Sequence, residues 1–457
     1  MKEKKEYMDL ALWAVEAAKK AGADAAEAFI TDSESVQINI SERQVEQVNA
    51  ARDTGIGIRV MKDQKVAFGS TNDLSRTSVQ GVVADLVKKV PFHTADEFLV
   101  IPGKDGGLDK PWASYADVIT FDPRIAEVTV EDKIKKAVAL EAAGMDFSPK
   151  VKSSMVVIYQ DNAAYIYLAN SNGLAGFWPA SGCGGGAEFS AAEGDDRQSG
   201  SFGKSYAKYA DFLPQDVGRR AAENAVQMLG AKPIKSCEVP MVVHPEVGTQ
   251  LLSFISGLLS ADEVQKGRSM LAGKVGTKIA APVVTMIDDG RLSGRLATSP
   301  VDGEGIPQQT TPLIVDGVLK TFLYDSYTAK KGKTKSTGNR TRSSYQSQGG
   351  VGTTNFYLKP GSAKAEDLLK GIGKGFFWTQ GIGLFAGIDV ASGDFSIPVA
   401  GFMIENGKVT FPIRGITIGG NLFELLSAVG QVAADLTWLD PVGCPTFLVK
   451  NVKIGGA

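Results

Sequence analysis

Residues 392–421 read Ser-Gly-Asp-Phe-Ser-Ile-Pro-Val-Ala-Gly-Phe-Met-Ile-Glu-Asn-Gly-Lys-Val-Thr-Phe-Pro-Ile-Arg-Gly-Ile-Thr-Ile-Gly-Gly-Asn. Two runs rich in β-branched and aromatic residues flank Asn406-Gly407, a dipeptide typical of tight turns between antiparallel strands. Asp-Gly pairs recur earlier in this half of the chain, at Asp289, Asp302 and Asp316. Short strands separated by Gly-rich turns predict that residues 234–457 form a mainly β domain with a few helices.

The first half combines helical and strand patterns. Helical spacing of apolar residues predicts helices at Tyr7–Ala21, Ser75–Val90, Glu131–Ala143 and Pro214–Leu229. Alternating segments predict strands at Val36–Ile40, Val45–Val48, Gly55–Met61, Met155–Tyr159 and Ala164–Asn170. We therefore predict an α+β protein with two domains: residues 1–233, an antiparallel sheet packed with helices, and residues 234–457. A Gly/Pro/Asp-rich connecting loop is predicted at Pro102–Pro123.

Composition limits the function classes. The 457 residues are 43% hydrophobic and 22% charged with a net charge of −2, which does not favour a nucleic-acid partner. Three widely spaced cysteines form neither a disulfide framework nor a paired-cysteine metal motif, and a reducing compartment fits them best. The first eight residues lack a secretory apolar stretch, and no run is long enough to span a membrane. We expect a cytoplasmic protein without a membrane partner.

Nucleotide and serine-hydrolase motifs are weak. The stretch Gly267–Lys274 has one residue too many for a phosphate-binding loop, and Val275 replaces the Ser or Thr that would hold magnesium. No Gly-x-Ser-x-Gly elbow occurs, and a catalytic triad would need His93 or His244, the two histidines of the chain. His244 lies between a predicted strand and a predicted helix, where a structural role is favoured.

Five short motifs follow one another over about 120 residues, and each alone is weak. They are Asp302-Gly-Glu-Gly, Asp325-Ser-Tyr, Ser336-Thr-Gly-Asn339, Gly393-Asp-Phe-Ser and Ile413-Arg-Gly-Ile-Thr-Ile-Gly-Gly-Asn421. In this order they resemble the TldD/PmbA family, whose catalytic members are zinc peptidases.

The zinc motif of that family is absent from the sequence. Catalytic members carry His-Glu-x-x-x-His on a helix after a strand like Val239–Val243, and the corresponding positions here are Leu252 to Gly257. The family's third ligand is a cysteine near the C-terminus, but Cys444 lacks its context and is predicted to be a structural thiol. The resemblance is therefore to the non-catalytic, TldE/PmbA-like branch, with no cofactor in this chain and zinc in a catalytic partner.

The resemblance implies a chamber in which two family members enclose an unfolded peptide. The partner would be a catalytic TldD-like subunit, or a second copy of this chain. The candidate peptide-binding residues are Asp325, Ser336, Thr337, Gly338, Asn339, Arg414 and Asn421. Arg414, with Lys335, would pair with acidic groups or with the terminal carboxylate of the peptide, and Asn339 and Asn421 would bond the peptide backbone. The alternatives are an internal salt bridge for Arg414 and a turn at Gly419–Asn421.

The basic segment Lys330–Arg342 holds six Lys or Arg residues and no acid. It lacks the interleaved aromatic residues of single-strand nucleic-acid binders. We expect a mobile loop that faces the substrate, with a plain surface loop as the alternative.

Two other functions remain open. The first is a stand-alone peptide-binding homodimer without catalysis. The second is a hydrolase with unconventional metal ligands, such as His244 and Cys444 with an acid. The near-neutral charge gives no support to the DNA contact that a gyrase-related role would need.

Overall fold

The computed structural model describes residues 4–103, 118, 120–381, 383, 387–389, 391–439 and 441–456. Helices and several sheets alternate along the chain, which confirms the predicted α+β class. Most of the loop predicted at Pro102–Pro123 lies outside the described residues.

The first half forms one antiparallel sheet in the strand order β3-β2-β1-β4-β5-β6. Its strands are β1 (Ala25–Ser41), β2 (Gln44–Lys62), β3 (Lys65–Thr71), β4 (Val151–Asn170), β5 (Ala175–Glu193) and β6 (Asp196–Tyr206). The segments predicted as separate strands at Val45–Val48 and Gly55–Met61 are both parts of β2.

Helices cover one face of this sheet. They are α1 (Lys5–Lys20), α2 (Arg76–Lys89), α3 (Arg124–Glu127), α4 (Val130–Met145) and α5 (Pro214–Val226). Side chains of a strand alternate between faces, so Ile30 and Ile38 of β1 both point to the helices and are fully buried. Each such side chain contributes about 1.5–3 kcal/mol through removal from water. On the opposite face, the side-chain amide of Gln37 donates to Asn39, and the amide of Asn39 donates to Gln47 of β2.

The second half contains two six-stranded sheets. One has the order β10-β9-β8-β13-β19-β18, and the other β16-β15-β14-β7-β20-β17. In the second sheet β16 also pairs with β20, which closes five strands into a ring. The strands are β7 (Cys237–Val243), β8 (Met286–Asp289), β9 (Thr310–Val315), β10 (Val318–Leu319), β11 (Arg340–Thr341), β12 (Gly350–Val351), β13 (Phe356–Leu358), β14 (Lys374–Gly381), β15 (Asp394–Glu405), β16 (Lys408–Asn421), β17 (Val429–Val432), β18 (Thr437–Leu439), β19 (Val442–Cys444) and β20 (Phe447–Gly455).

One helix of this half packs between the two sheets. The helices are α6 (Pro245–Leu258), α7 (Ala261–Gln265), α8 (Ser326–Lys331), α9 (Ala365–Lys370) and α10 (Leu422–Ser427). Buried side chains of α6 share one hydrophobic cluster with strands of both sheets. This cluster fixes the orientation of α6. None of the helices in the described ranges combines the length and the hydropathy needed to cross a membrane.

The stretch 392–421 forms the hairpin β15–β16, with Asp394 opposite Asn421 and Glu405 opposite Lys408. Asn406 and Gly407 have φ of 49° and 74°, the geometry of a tight hairpin turn. Asp316-Gly317 makes the same kind of turn between β9 and β10. Asp289-Gly290 and Asp302-Gly303 are turns that do not directly join two neighbouring strands.

The two halves meet at a small apolar cluster and at a buried ion pair between Glu27 of the first sheet and Arg342 of the second half. Phe29, Leu168 and Trp178 of the first sheet pack against Val301. The first sheet contains only residues 25–206, and the strands of the other sheets begin at Cys237. The division into domains 1–233 and 234–457 remains a prediction.

Candidate functional site

Helix α6 follows β7 directly, and His244 caps its first turn. The His244 Nδ1 accepts a hydrogen bond from the Glu246 backbone N–H at 3.3 Å, and Pro245 occupies the first helical position. Val247, Leu251 and Ile255 face the core. The opposite side carries Glu246, Gln250, Ser253 and Gly257 at helical spacing, and it is open to solvent from Gln250 onward. This stripe of four residues is called the outer stripe of α6.

Leu252 and Gly257, the positions predicted from the sequence to correspond to the histidine ligands, offer no group that could bind a zinc ion. Leu252 is 1% exposed and lies in the core, whereas Gly257 is on the outer stripe, and a Cβ added there would meet only open space. Neither residue has a ligating group. Across the described ranges, no three His, Cys, Asp or Glu side chains lie close enough to hold a metal ion.

Cys444 packs against α6 as a buried thiol. Its Sγ donates to the Pro445 carbonyl oxygen at 3.3 Å, and a Cβ added at Gly248 would lie 2.5 Å from this sulfur. Burial raises the pKa of the Cys444 thiol well above its ordinary value, so in the metal-free protein this side chain is a neutral, buried thiol.

His244 is also held in a structural position. Burial lowers its pKa, and its Nε2 lies 3.4 Å from Nη2 of Arg220. With the Nδ1 bond to Glu246, both ring nitrogens contact protein groups. These contacts do not support the alternative in which His244 and Cys444 bind a catalytic metal.

A polar cleft of about 330 Å³ lies beside the first turn of α6. Its lining comes from β5, β6, α5, α6 and the end of β14, and includes Glu188, Ser199, Gly200, Ser201, Asn224, Glu246, Gln250, Thr379, Gln380 and Gly381. We call it the α6 cleft. Glu188 of β5 is directly opposite Ser201 of β6.

Hydrogen bonds hold the walls of the α6 cleft together. The Asn224 side-chain amide donates to the Ser201 carbonyl at 3.1 Å and to Glu246 Oε2 at 3.3 Å. Gln380 Nε2 donates to the Asn224 carbonyl at 2.9 Å, which ties β14 to α5. Gly200 permits the close packing of α5 on β6, because a Cβ there would lie 2.1 Å from the Ala225 nitrogen. The cleft is thus bounded by fixed backbone elements.

The sequence did not identify this cleft. Its residues come from five elements, and none belongs to a recognisable motif. The one feature of the cleft that has a local sequence pattern is Glu246 in the first turn of α6, because carboxylates are common at helix N-termini.

Five of the predicted peptide-binding residues lie close together around α8. Asp325 caps this helix by accepting from the Thr328 backbone N–H at 2.8 Å, and it pairs with Arg340 at 2.5 Å. Ser336 and Thr337 both donate to the Tyr324 carbonyl. Gly338 has φ of 72° and approaches the Pro307 carbonyl, and Asn339 donates to Asp288 Oδ2 at 2.7 Å. All five make internal contacts, and their role in peptide binding stays a prediction.

Arg414 and Asn421 lie away from that group. The exposed Arg414 hydrogen-bonds to Gln198 of β6, an uncharged partner in place of the acid that the salt-bridge alternative required. Asn421 caps α10 through the Phe423 backbone N–H and donates to Asp394 Oδ1 at 2.9 Å. Gly419 and Gly420 belong to β16, so the predicted turn at Gly419–Asn421 is wrong.

The basic segment divides into two parts. Lys333, Thr334 and Lys335 are exposed, but the side chains of Arg340 and Arg342 are 9% and 1% exposed. Arg342 pairs with Glu27 of the first sheet, and Arg59 pairs with the same carboxylate at 3.0 Å. Although burial opposes its ionisation, these two arginines hold the pKa of Glu27 below its ordinary value. The expectation of a substrate-facing loop is therefore wrong for Arg340 and Arg342. Arg340 pairs with Asp325 within the second half, and Arg342 joins the second half to the first sheet.

Comparison with known proteins identifies the family. Models described as PmbA/TldA metallopeptidase domain 1, central domain and C-terminal domain match residues 26–90, 123–229 and 236–456. The chain belongs to the PmbA/TldD metallopeptidase family. The similarity that the five ordered motifs indicated is therefore confirmed.

Relatives match over nearly the whole chain. A Metalloprotease PmbA homolog of Haemophilus influenzae is 26% identical over 99% of this chain and 97% of its own length. A crystal structure of a candidate modulator of a DNA gyrase from Thermotoga maritima superposes with a TM-score of 0.88 at 25% identity, covering 98% of this chain and 100% of the other. TldE from Thermococcus kodakarensis has the same fold, with a TM-score of 0.85 at 22% identity and coverage of 97% and 99%.

Proposed function

We propose that this chain is the zinc-free subunit of a peptide-processing metallopeptidase and that it pairs with a zinc-bearing member of its family. The observation that carries the proposal is that the two positions on α6 where the sequence predicts ligands hold a core leucine and an exposed glycine, neither of which can bind a metal. In the described part of the chain no three His, Cys, Asp or Glu side chains are grouped so that they could hold a metal ion, which also supports the proposal.

The proposed contribution of this subunit is to hold an extended peptide. Extended peptides bind through backbone hydrogen bonds to strand edges and through side chains to adjacent pockets. The α6 cleft offers both kinds of group, because β6 is an outer strand of the first sheet and polar side chains surround it. A chamber enclosed by two subunits would admit unfolded chains and exclude folded proteins.

The test is reconstitution with a zinc-bearing relative from the same cell. Each protein is purified alone, and hydrolysis of an unfolded fluorescent peptide is measured for each chain and for the mixture, with and without a zinc chelator. We expect no hydrolysis by this chain, hydrolysis by the mixture at a rate above that of the relative alone, and loss of activity with the chelator. Chelator-sensitive hydrolysis by this chain alone would refute the proposal, and so would a mixture in which the two chains do not associate.

A further inference from the structure

The α6 cleft has an unusual charge distribution. Its charged lining residues are two glutamates, Glu188 and Glu246, and among its described lining residues there is no Lys or Arg. The other side chains in the lining are hydroxyls and amides, so the lining is polar and contributes no cationic side chain of its own.

Only one of the two glutamates is paired. Glu246 Oε1 accepts from Arg220 Nε at 2.7 Å, and its second oxygen accepts from Asn224. Glu188 is half-buried and has no hydrogen-bond or ion-pair partner in the described part of the chain. A carboxylate inside a bounded cleft is less hydrated than one on an open surface, which strengthens its attraction for a cation.

The groups around Glu188 can accept hydrogen bonds. Ser201 lies directly opposite it on β6, and Ser199 is two residues away on the same face. Thr379 has a buried Oγ1 without a hydrogen-bond partner. An ammonium or guanidinium group carries several N–H donors and no acceptor, and so complements a carboxylate in a cleft lined by hydroxyl groups.

We infer that the α6 cleft binds a positively charged group of the peptide, either a Lys or Arg side chain or a free α-amino group. The inference rests on the proposed peptide-holding function and specifies the class of peptide. From Glu246 to Gly257 the outer stripe of α6 is about 16 Å long, the span of roughly five residues of extended chain. A peptide anchored by its charge at Glu188 therefore has room to lie along α6.

The experiment measures binding of labelled unstructured peptides to the full-length chain and to its complex with the zinc-bearing relative. The peptides share one sequence with acetylated and amidated ends and differ at one central residue, Lys, Gln or Glu. A fourth peptide has the Gln and a free α-amino group. We expect the Lys peptide to bind about fivefold more tightly than the Gln peptide, the Glu peptide to bind most weakly, and added salt to reduce the differences. A gain for the fourth peptide instead of the Lys peptide would assign the cleft to the peptide N-terminus.

Two variants and a control locate the effect. Glu188→Gln, which keeps the shape of the side chain, should remove the preference, and Glu188→Lys should reverse it. Glu193→Gln is the control, because Glu193 lies on the same strand but outside the cleft and pairs with Lys150. Equal binding of all four peptides, or a preference that survives Glu188→Gln, would overturn the inference while leaving the peptide-holding function in place. Failure of the chain and of the complex to bind any peptide would overturn both.

Discussion

Asp288 shows how strongly a single buried carboxylate is constrained here. It accepts hydrogen bonds from Asn339 Nδ2 at 2.7 Å, from the Thr354 backbone N–H at 2.7 Å and from Thr354 Oγ1 at 2.9 Å. Burial nevertheless raises its pKa from 3.8 to about 6. Asn339, one of the predicted peptide-binding residues, is therefore engaged in satisfying this buried acid.

The raised pKa of Asp288 predicts a pH-dependent contribution to stability. The folded protein keeps the proton between pH 3.8 and about 6, where the unfolded chain releases it, so the contribution is present below that window and lost as pH rises through it. Relative to Asp288→Asn, which does not titrate, the wild-type free energy of unfolding should fall by up to about 3 kcal/mol across the window. Urea denaturation of both proteins at several pH values measures this, and a constant difference would contradict it.

At the scale of elements, the packing of α6 on β19 depends on the absence of a side chain at Gly248. Gly248→Ala places a Cβ 2.5 Å from Cys444 Sγ and should lower the free energy of unfolding by about 1–3 kcal/mol. Cys444→Ala in the same protein should recover part of that loss, because it removes the clashing sulfur. Gly257→Ala is the matched control on the same helix: its Cβ meets nothing, so it should stabilise by about 0.5–1 kcal/mol. Denaturant unfolding of the wild type and the three variants measures these changes, and equal effects at the two glycines would contradict the prediction.

Elements with a strong local pattern could be predicted from the sequence. The helix predicted at Tyr7–Ala21 is found at Lys5–Lys20, and the turn at Asn406-Gly407 joins β15 to β16. The hairpin β1–β2 was less clear, because its turn consists of Glu42 and Arg43 at positive φ, residues without a turn preference. Tertiary contacts compensate here: the Arg43 side chain pairs with Asp146 at 2.5 Å.

Features that depend on distant residues could not be predicted. Arg342 lies in a basic run that locally indicates a solvated loop, but its partner Glu27 is 315 positions away. The α6 cleft likewise combines Glu188 with residues of α5, α6 and β14 that are separated from it by up to 193 positions (188 to 381). In both cases the residues come together only after the chain has folded, so no local sequence pattern indicates the arrangement.

At the scale of the whole molecule, the ion pair between Arg342 and Glu27 joins the first sheet to the second half of the chain. Both side chains are 1% exposed. Arg342→Ala leaves the Glu27 carboxylate with Arg59 alone and should lower the free energy of unfolding by about 3–5 kcal/mol. Arg268→Ala breaks an exposed pair with Glu263 and serves as the control, with little change expected. Similar urea midpoints for the two variants would show that the buried pair does not hold the halves together.

We propose that this member of a metallopeptidase family carries no zinc of its own. The observation that supports the proposal is that Leu252 and Gly257, at the positions on α6 where ligands are expected, carry no ligating group. The most direct test is zinc per chain, measured by elemental mass spectrometry on protein purified without added metal or a polyhistidine tag. We expect a value near zero. A value of about one zinc per chain would contradict it.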